Sequence, residues 1–295
     1  MISASYDFET LRNGQWYKSH PDSPVQANQI ATDVIEHLII CVKGTQTVDA
    51  LRPILHRLTS KSSILFLQNG SGMIEAANEH LFTNSQTRPN YLIGVISHGV
   101  TLNKPFNITH TGFSATSIGI APRGNHLSES SSNESALASN YLVKTLPQSY
   151  HLNATSYPYT AILQIQLEKL AVNAFCNPLC ALNDSINGFL FTIPDTRREI
   201  LAEISSVVLA IPELKHVPGV KERFSVDMLE ETVNGIIRKT YNTTCSMVWD
   251  LRAGRETEVR FINGSWSRMG REVGVDTPLN DRLVREIEAK TTKPL

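Results

Sequence analysis

The chain has 295 residues, of which 41% are hydrophobic and 19% are charged. This composition is that of a globular protein, and at roughly 150 residues per domain the length predicts about two domains. The 27 Lys and Arg residues nearly balance the 28 Asp and Glu residues, which gives a formal net charge of -1. Without a global basic field, we expect no nucleic-acid partner.

The sequence contains neither a secretory signal nor a membrane span. No basic N-terminal segment precedes an apolar run, and no run approaches the roughly 18 apolar residues that a membrane helix needs. We therefore expect a cytoplasmic protein without a membrane segment. Its few cysteines include no C-x-x-C pair, which indicates a reducing compartment and predicts no metal site; they are Cys41, Cys176, Cys180 and Cys245.

The first half of the chain alternates between strand and helix patterns. Three unbroken apolar runs predict strands buried on both faces; they lie at 37–42, 63–67 and 91–97. Helical spacing between Val48 and Leu58 and between Ile74 and Leu81 predicts the intervening helices. This β-α-β-α-β order implies parallel strands joined by right-handed crossovers. Alternation from Asn107 to Ile120 predicts one or two antiparallel edge strands.

The second half of the chain fits helices separated by Gly and Pro. The predicted helices run from Tyr159 to about Leu182, Arg197 to Leu209, Val226 to Leu251, Thr257 to Met269 and Leu279 to Lys290. The strand-rich pattern ends near residue 153. We therefore expect an α/β domain with a parallel sheet in residues 1–153 and an all-helical domain in residues 154–295.

Three polar residues follow the ends of the predicted strands: Lys43, Asn69 and His98. Ligands of open parallel sheets bind outside the carboxyl ends of the strands, so these residues are expected at one edge of the sheet. A simple polar turn is the alternative for each. The segment from Asn69 to Gly72 contains Gly-x-Gly, but Glu75 stands where a dinucleotide fingerprint needs a small residue. We interpret it as a tight turn that permits close approach.

The first long helix carries the most informative polar pattern. Lys169, Asn173 and Asn177 are four residues apart and line one stripe of this helix. A solvent-facing stripe is the alternative, although surface stripes favour Glu and Lys pairs over repeated Asn. Pro178 leaves the carbonyl of Ala174 without its helical donor, which a buried site could use. Amide groups donate and accept, so the stripe suits a small hydroxylated, carboxylated ligand.

A second polar cluster surrounds a predicted helix break at Gly254. Ser246 and Asp250 are one helical turn apart, and Glu258 begins the next helix. A solvated salt-bridge network is the preferred interpretation for four charged residues of this cluster; these are Asp250, Arg252, Arg255 and Glu256.

Together these segments resemble one family, the ketopantoate reductases (2-dehydropantoate 2-reductases), especially their longer fungal forms. The matching motifs are IICVKG, LFLQNGSG, VISHGV, EKLAVNAFCNPLCAL, Asn187-Gly188 and TTCSMVWDLRAGRETEVRFING. They occur in family order from about residue 35 to the C-terminus. The two long motifs, around Lys169 and Glu258, carry most of the specificity.

The resemblance implies a Rossmann domain, an all-helical domain and an active site in the cleft between them. It implies reduction of ketopantoate by NADPH in pantothenate synthesis, with Lys169 as the proton donor and Glu258 beside cofactor and substrate. It further implies that Asn69, Asn173, Asn177, Asn187 and Ser246 bind the keto acid, and that Lys43, Asn69, Val100 and Glu258 contact the cofactor. We also consider a homodimer.

The chain departs from the family pattern at its N-terminus. The family begins with a strand and a Gly-x-Gly-x-x-Gly loop, whereas residues 1–34 contain one glycine, Gly14, and no apolar strand. We therefore expect the first strand-helix-strand unit of the Rossmann domain, on the order of 30 residues or more, to be missing. Ser71 and Arg260 replace the usual Met and acidic residue. The alternatives are a truncated, non-catalytic pseudoenzyme that binds a keto or hydroxy acid or a partner, and a β-hydroxyacid-type dehydrogenase of other preference.

Overall fold

The computed structural model of this chain describes residues 8–12, 15–19, 32–104, 107–123 and 139–291. Gly14, and much of the segment 1–34 on which the expectation of a missing N-terminal part rests, lie outside these residues. Within the described residues, no helix has the length and apolarity to cross a membrane.

A five-stranded sheet forms the centre of the first half of the molecule. β3 (His37–Ile40), β4 (Ser63–Phe66) and β5 (Asn90–Ile96) are parallel neighbours, as the alternating pattern predicts. β8 (Thr116–Ile120) is antiparallel to β5, and β9 (Ala154–Ser156) is parallel to β8. β4 is buried on both faces and β5 nearly so, as their unbroken apolar runs predict. The expectation of burial on both faces is wrong for β3, because this strand lies at the edge of the sheet and Ile39 is 39% exposed.

Two antiparallel hairpins lie apart from this sheet. The first pairs β1 (Phe8–Arg12) with β2 (Gln15–Ser19), and the second pairs β6 (Gly99–Lys104) with β7 (Asn107–Gly112). The segment expected to form antiparallel edge strands therefore divides between two sheets: β7 joins a hairpin, and β8 lies inside the central sheet. The expectation of edge strands is wrong for β8, because β9 covers its outer side.

Short helices cover the sheet. α1 (Thr47–Leu51) is flanked by 3-10 turns at Gly44–Gln46 and Arg52–Arg57, so Pro53 lies at the start of the second 3-10 turn and the predicted helix is not continuous. α2 (Met73–His80) follows β4, and α3 (Tyr141–Thr145) precedes β9. Side chains of α1 and α2 pack on those of β3 and β4; the fully covered members include Leu51, Ile54, Ile64, Phe66 and Ala77.

Helices form the rest of the described chain. They are α4 (Tyr159–Leu182), α5 (Pro194–Ala210), α6 (Val220–Arg223), α7 (Val226–Lys239), α8 (Ser246–Arg252), α9 (Val259–Val273) and α10 (Pro278–Thr291). The predicted helix from Val226 to Leu251 is wrong, because residues 240–245 form a loop between α7 and α8. Backbone hydrogen bonds from Asn187 and Gly188 to Thr243 and Tyr241 hold this loop.

α4 connects the sheet to the helical core. Its first turns place Ile162 against Ile93 and Val95 of the sheet. Its second half places Phe175 in the helical core, which also contains Trp266 of α9. Ile162, Phe175 and Trp266 are all fully buried. Burial of each such side chain stabilises the fold by about 1.5–3 kcal/mol. The exact division of the chain at residues 153 and 154 stays a prediction.

Pro178 lies inside α4 and exposes a carbonyl that the fold uses. The side-chain amide of Asn263 donates to the oxygen of Ala174 at 2.8 Å and to Asn280 at 3.0 Å. Asn280 in turn donates to Glu203 at 2.9 Å. The expectation that this carbonyl serves a ligand site is therefore replaced by a structural role, in which it joins α4 to α9.

Candidate active site

Lys169 lies in the middle of α4 and faces the carboxyl ends of the sheet strands. Its ammonium donates to Oδ1 of Asn69 at 2.8 Å and to the carbonyl oxygen of Ile96. Asn69 follows β4 and Ile96 ends β5, so the parallel sheet brings both acceptors to the same edge. The half-buried side chain is therefore held from the sheet and not free in solvent, which contradicts a solvent-facing stripe at this position.

Burial makes Lys169 a weaker base than an ordinary lysine. It lowers the pKa of the ammonium to about 8, and the charge of Glu258 opposes this shift. Glu258 is itself largely enclosed: burial raises the pKa of its carboxyl, while the N–H of Gly44, which donates to Oε1 at 3.2 Å, and the charge of Lys43 oppose the rise. A lysine and a carboxylate thus lie near each other where water is partly excluded.

Lys43 connects the end of β3 to the helix break before α9. Its ammonium lies 2.6 Å from Oδ1 of Asp250 and donates to the carbonyl of Glu256 at 3.1 Å. Asp250 also accepts from Arg255 at 3.2 Å and is 5% exposed. The interpretation of this cluster as a solvated network is thus wrong for Asp250, although Arg252 forms an exposed ion pair as that interpretation expects.

The turn after β4 is a site of close approach, as the glycines predict. Gly70 and Gly72 have φ values of +93° and +100°, in the left-handed region that favours glycine. The N–H of Ser71 donates to the carbonyl of Phe261 in α9 at 2.8 Å, and the hydroxyl of Ser265 donates to the carbonyl of Ser71 at 2.6 Å. The approaching group is thus a helix of the same chain.

The remaining predicted substrate residues lie along α4 and the loops that pack on it. Asn173 shares with Lys169 the lining of a small cavity of about 10 Å³. Asn177 is 8% exposed, and its carbonyl accepts from Cys245, which directly precedes Ser246. The stripe therefore faces inward along its whole length. In α-helical geometry Lys169 and Asn177 are about 12 Å apart along the axis.

Asn187 and Ser246 are positioned by their neighbours in the helical region. The amide of Asn187 donates to the hydroxyl of Thr240 at 2.9 Å, and its oxygen accepts from the thiol of Cys180. Ser246 is the first residue of α8 and is exposed. Among the described residues, no hydrogen bond joins either side chain directly to Lys169.

His98 directly precedes the second hairpin, and its side chain contacts that hairpin and not the lysine site. One ring nitrogen lies 2.9 Å from a nitrogen of His110, and the other lies 2.9 Å from the carbonyl of Leu152. Val100 is 51% exposed in β6. The expected edge therefore contains Lys43 and Asn69, whereas the carbonyl of Ile96 takes the place expected for His98.

Sequence reasoning missed several partners of these residues. The carbonyl of Ile96 and the N–H of Gly44 are backbone groups, which leave no residue-type signal. Gln166 is three residues before Lys169 and donates to the carbonyl of Gly70 at 3.4 Å. Its position on the same helix face could have indicated it.

In the described part of the chain, no group of three or more His, Cys, Asp or Glu side chains is placed to hold a metal.

The fold and the lysine site define a protein with a Rossmann-like parallel sheet, a helical C-terminal region and a buried lysine where the two meet. The ketopantoate reductase PanE/ApbA family model matches residues 8–123, and the ketopantoate reductase PanE/ApbA C-terminal model matches residues 161–291. The chain therefore belongs to the ketopantoate reductase family of oxidoreductases.

Curated relatives agree with this assignment. The chain is 29% identical over 264 residues to a probable 2-dehydropantoate 2-reductase of Schizosaccharomyces pombe, which covers 88% of this chain and 75% of the relative. It is 31% identical over 257 residues to a 2-dehydropantoate 2-reductase of Yersinia pestis, which covers 86% of this chain and 74% of the relative.

Solved structures share the fold. A ternary structure of D-mandelate dehydrogenase with NADH and anilino(oxo)acetate matches with a TM-score of 0.66 at 21% identity, covering 88% of this chain and 78% of that chain. A dimeric ketopantoate reductase from Staphylococcus aureus matches with a TM-score of 0.63 at 19% identity, covering 98% of this chain and 88% of that chain.

Proposed function

We propose that this protein reduces 2-dehydropantoate to pantoate with NADPH, in the cytoplasm, as a step of pantothenate synthesis. The observation that carries the proposal is the buried ammonium of Lys169, which is held by Asn69 and the carbonyl of Ile96 at the carboxyl edge of a parallel sheet. Membership of the ketopantoate reductase family supports the choice of substrate.

The residues around the end of β3 fit a nicotinamide cofactor. The ammonium of Lys43 and a buried hydroxyl of Thr45 that lacks a hydrogen-bond partner lie in the same turn, and both suit an anionic group. We expect Lys43, Asn69, Val100 and Glu258 to contact NADPH, which supplies a hydride when bound.

The chain's own residues supply the proton and the orientation. At neutral pH most Lys169 side chains are protonated, since the pKa of about 8 lies above 7. Reduction develops negative charge on the carbonyl oxygen of the keto acid, and the ammonium both stabilises this charge and donates a proton to it. Asn69 and the Ile96 carbonyl fix Nζ, so little reorganisation is needed during the reaction.

The amide stripe and the two loop residues are proposed to bind the rest of the keto acid. Asn173, Asn177, Asn187 and Ser246 can hydrogen-bond a carboxylate and a hydroxyl without adding a second charge to the site. Binding by Asn187 requires it to exchange its contact with Thr240 for one with the substrate.

The test is ketopantoate-dependent oxidation of NADPH by the full chain, with NADH in parallel. Lys169→Ala is expected to lower kcat by about 100-fold or more, because general acid catalysis contributes on that order. Lys144→Ala, which removes an exposed lysine of α3, is the matched control and should retain full activity.

Two outcomes would contradict the proposal. A folded protein that binds a keto acid but oxidises no NADPH would be the non-catalytic binder. Faster turnover of other 2-keto acids than of ketopantoate would identify a dehydrogenase of different preference.

The homodimer is also a proposal, supported by the dimeric structural relative, and analytical ultracentrifugation tests it.

A further inference from the structure

A second and larger cavity lies between the sheet and the helices. Its volume is about 610 Å³, within the range typical of small-molecule pockets, and Lys169 does not line it. Its apolar wall comes from both halves of the molecule and includes Phe66, Ile93, Leu163, Leu167, Ile211 and Met269. No part of the proposed reaction uses this space.

One part of the cavity lining carries two arginines without acidic partners. Arg88 donates to the carbonyl of Phe82 at 2.6 Å, and Arg123 donates to the carbonyls of Arg88 and Ser60 at 2.9 and 2.7 Å. Among the described residues, no carboxylate pairs with either guanidinium. Both lie close enough to Tyr91 for their charges to act on its hydroxyl, whose pKa burial raises to about 12.

A second part of the lining, around a different tyrosine, carries two carboxylates without basic partners. Glu75 and Glu213 line the cavity and form no ion pair within the described part of the chain. Both act on the hydroxyl of Tyr159, whose pKa is raised to about 12, first by burial and then by these two charges. The two arginines and the two glutamates therefore surround different tyrosines.

An unsatisfied donor lies along the same cavity. The Nε of Arg268 is buried without a hydrogen-bond partner, and Oε1 of Glu272, its ion-pair partner, lies 3.7 Å away, too far for a hydrogen bond. A buried donor left unpaired destabilises a protein, so an acceptor supplied by a ligand would be favourable.

We propose that this cavity binds a small dipolar molecule, with an anionic group held by Arg88 and Arg123, an ammonium held by Glu75 and Glu213, and an apolar middle. The planar guanidinium groups suit a carboxylate or a phosphate, which they can bind through two parallel hydrogen bonds. The apolar wall suits a chain of methylene groups. A molecule with only one of the two charges would leave the other pair of charged residues unpaired.

The experiment uses calorimetric titration of the full chain without cofactor. The probes are linear ω-amino carboxylates of four to eight carbons and the matching aminoalkyl phosphates, with fatty carboxylates and alkylamines of equal length as single-charge controls. We expect one length of dipolar probe to bind at least about tenfold more tightly than both single-charge probes. The comparison of carboxylate with phosphate identifies the anionic group.

Variants assign the binding to this cavity. Arg123→Gln and Glu213→Gln should each reduce the affinity for the dipolar probe to that of the matching single-charge probe. Arg271→Gln and Glu286→Gln remove exposed charges outside the cavity lining and should change nothing. Lys169→Ala should also bind normally, which separates this site from the proposed active site.

The proposal is overturned if single-charge probes bind as tightly as dipolar ones, if no probe binds at millimolar concentration, or if the Arg123 and Glu213 variants bind normally. Thermal melting of each variant checks that the fold is retained. Because no step needs NADPH or ketopantoate, a failure here leaves the proposed reductase activity intact, and a failure of that activity leaves this test intact.

Discussion

Lys169 combines two properties that an exposed lysine lacks: a fixed position and a pKa near physiological pH. The two acceptors of its ammonium come from the sheet, so the position of Nζ depends on the packing of α4 against that sheet. Desolvation disfavours the charged form, and the nearby carboxylate of Glu258 partly restores it. The balance of these two effects sets the pH range in which the residue can donate a proton.

The first prediction concerns the pH dependence of reduction. If Lys169 is the proton donor, as proposed, it must be charged, so the rate should be constant below pH 8 and fall about tenfold per unit above it. In Glu258→Gln the charge that raises the pKa of Lys169 is removed, so the fall should begin at lower pH. Rates measured from pH 6 to 10 on both proteins test this. A fall that begins near pH 10.5, or the same midpoint in both proteins, would contradict it.

For single residues, the sequence predicts which side chains lie in the site better than it predicts the groups that hydrogen-bond to them. The spacing of Lys169, Asn173 and Asn177 indicates one inward face, and the structure places them there. The carbonyl of Ile96 is not predictable in this way, because every residue has a carbonyl and only the sheet register selects one. The burial of Asp250 is not predictable either, because charged residues are usually exposed and its partner Lys43 is distant in sequence.

The turn between β4 and α2 fixes the sheet against α9. A Cβ at Gly70 would lie 2.3 Å from the carbonyl oxygen of Phe261, so both the backbone conformation and the contact require glycine. Gly254 also has a positive φ, of +60°, but no atom lies within 4 Å of its Cβ position. Substitutions at these two glycines can therefore distinguish destabilisation by the contact with Phe261 from destabilisation by backbone strain.

The second prediction compares alanine at these two glycines. Gly254→Ala should lower the free energy of unfolding by about 1 kcal/mol, from backbone strain alone. Gly70→Ala should lower it by more than about 3 kcal/mol, because the turn must also move away from Phe261. Urea unfolding measures both. Equal losses would show that the turn and α9 do not pack as described.

The third prediction concerns the proline of α4. Asn263→Ala removes the donor to the Ala174 carbonyl and should destabilise the protein by about 1–3 kcal/mol. In a Pro178→Ala background residue 178 regains an N–H that can donate to the same carbonyl, so the loss should be smaller. A double-mutant cycle by urea unfolding measures this difference. If the losses of unfolding free energy in the two single variants add up to the loss in the double variant, the Ala174 carbonyl does not couple Asn263 to Pro178.

The boundaries of the helices show where helical periodicity in the sequence predicts the structure and where it does not. α4 ends where the pattern predicts, because its apolar face continues without interruption to Leu182. The break between α7 and α8 has a weaker local signal, a cluster of Thr and Asn residues at 240–244 without Gly or Pro. It is made by backbone hydrogen bonds to Asn187 and Gly188, which are distant in sequence. Helical spacing on either side of a break of this kind predicts one helix.

On the scale of the whole molecule, α4 makes the two halves depend on each other. Its first turns are part of the sheet packing, and its later turns are part of the helical core. The parallel order of β3, β4 and β5 and the helical second half were predictable, because their patterns repeat over many residues. How the halves meet was not, since the ion pair of Lys43 and Asp250 joins distant parts of the chain.

The fourth prediction is that the sheet and the helices unfold together. Amide hydrogen exchange should give the same opening free energy for β4 and for the second half of α4. Ile162→Ala, at a fully buried position, should lower both by about 2–5 kcal/mol. Leu209→Ala, at a residue that is 41% exposed, is the control and should lower them by less than about 1 kcal/mol, as is usual for surface sites. A change confined to the sheet would contradict cooperative unfolding.

The geometry of Lys169 also has a stereochemical consequence. An ammonium has three N–H bonds, and two of them are directed to Asn69 and to Ile96. Only the third can point at a substrate oxygen, so a bound ketone must present that oxygen from one direction. A hydride donor held on one side of this fixed oxygen, with the rest of the keto acid held by the amide stripe, would then reach the same face of the carbonyl in every turnover. The alcohol product should therefore be a single enantiomer.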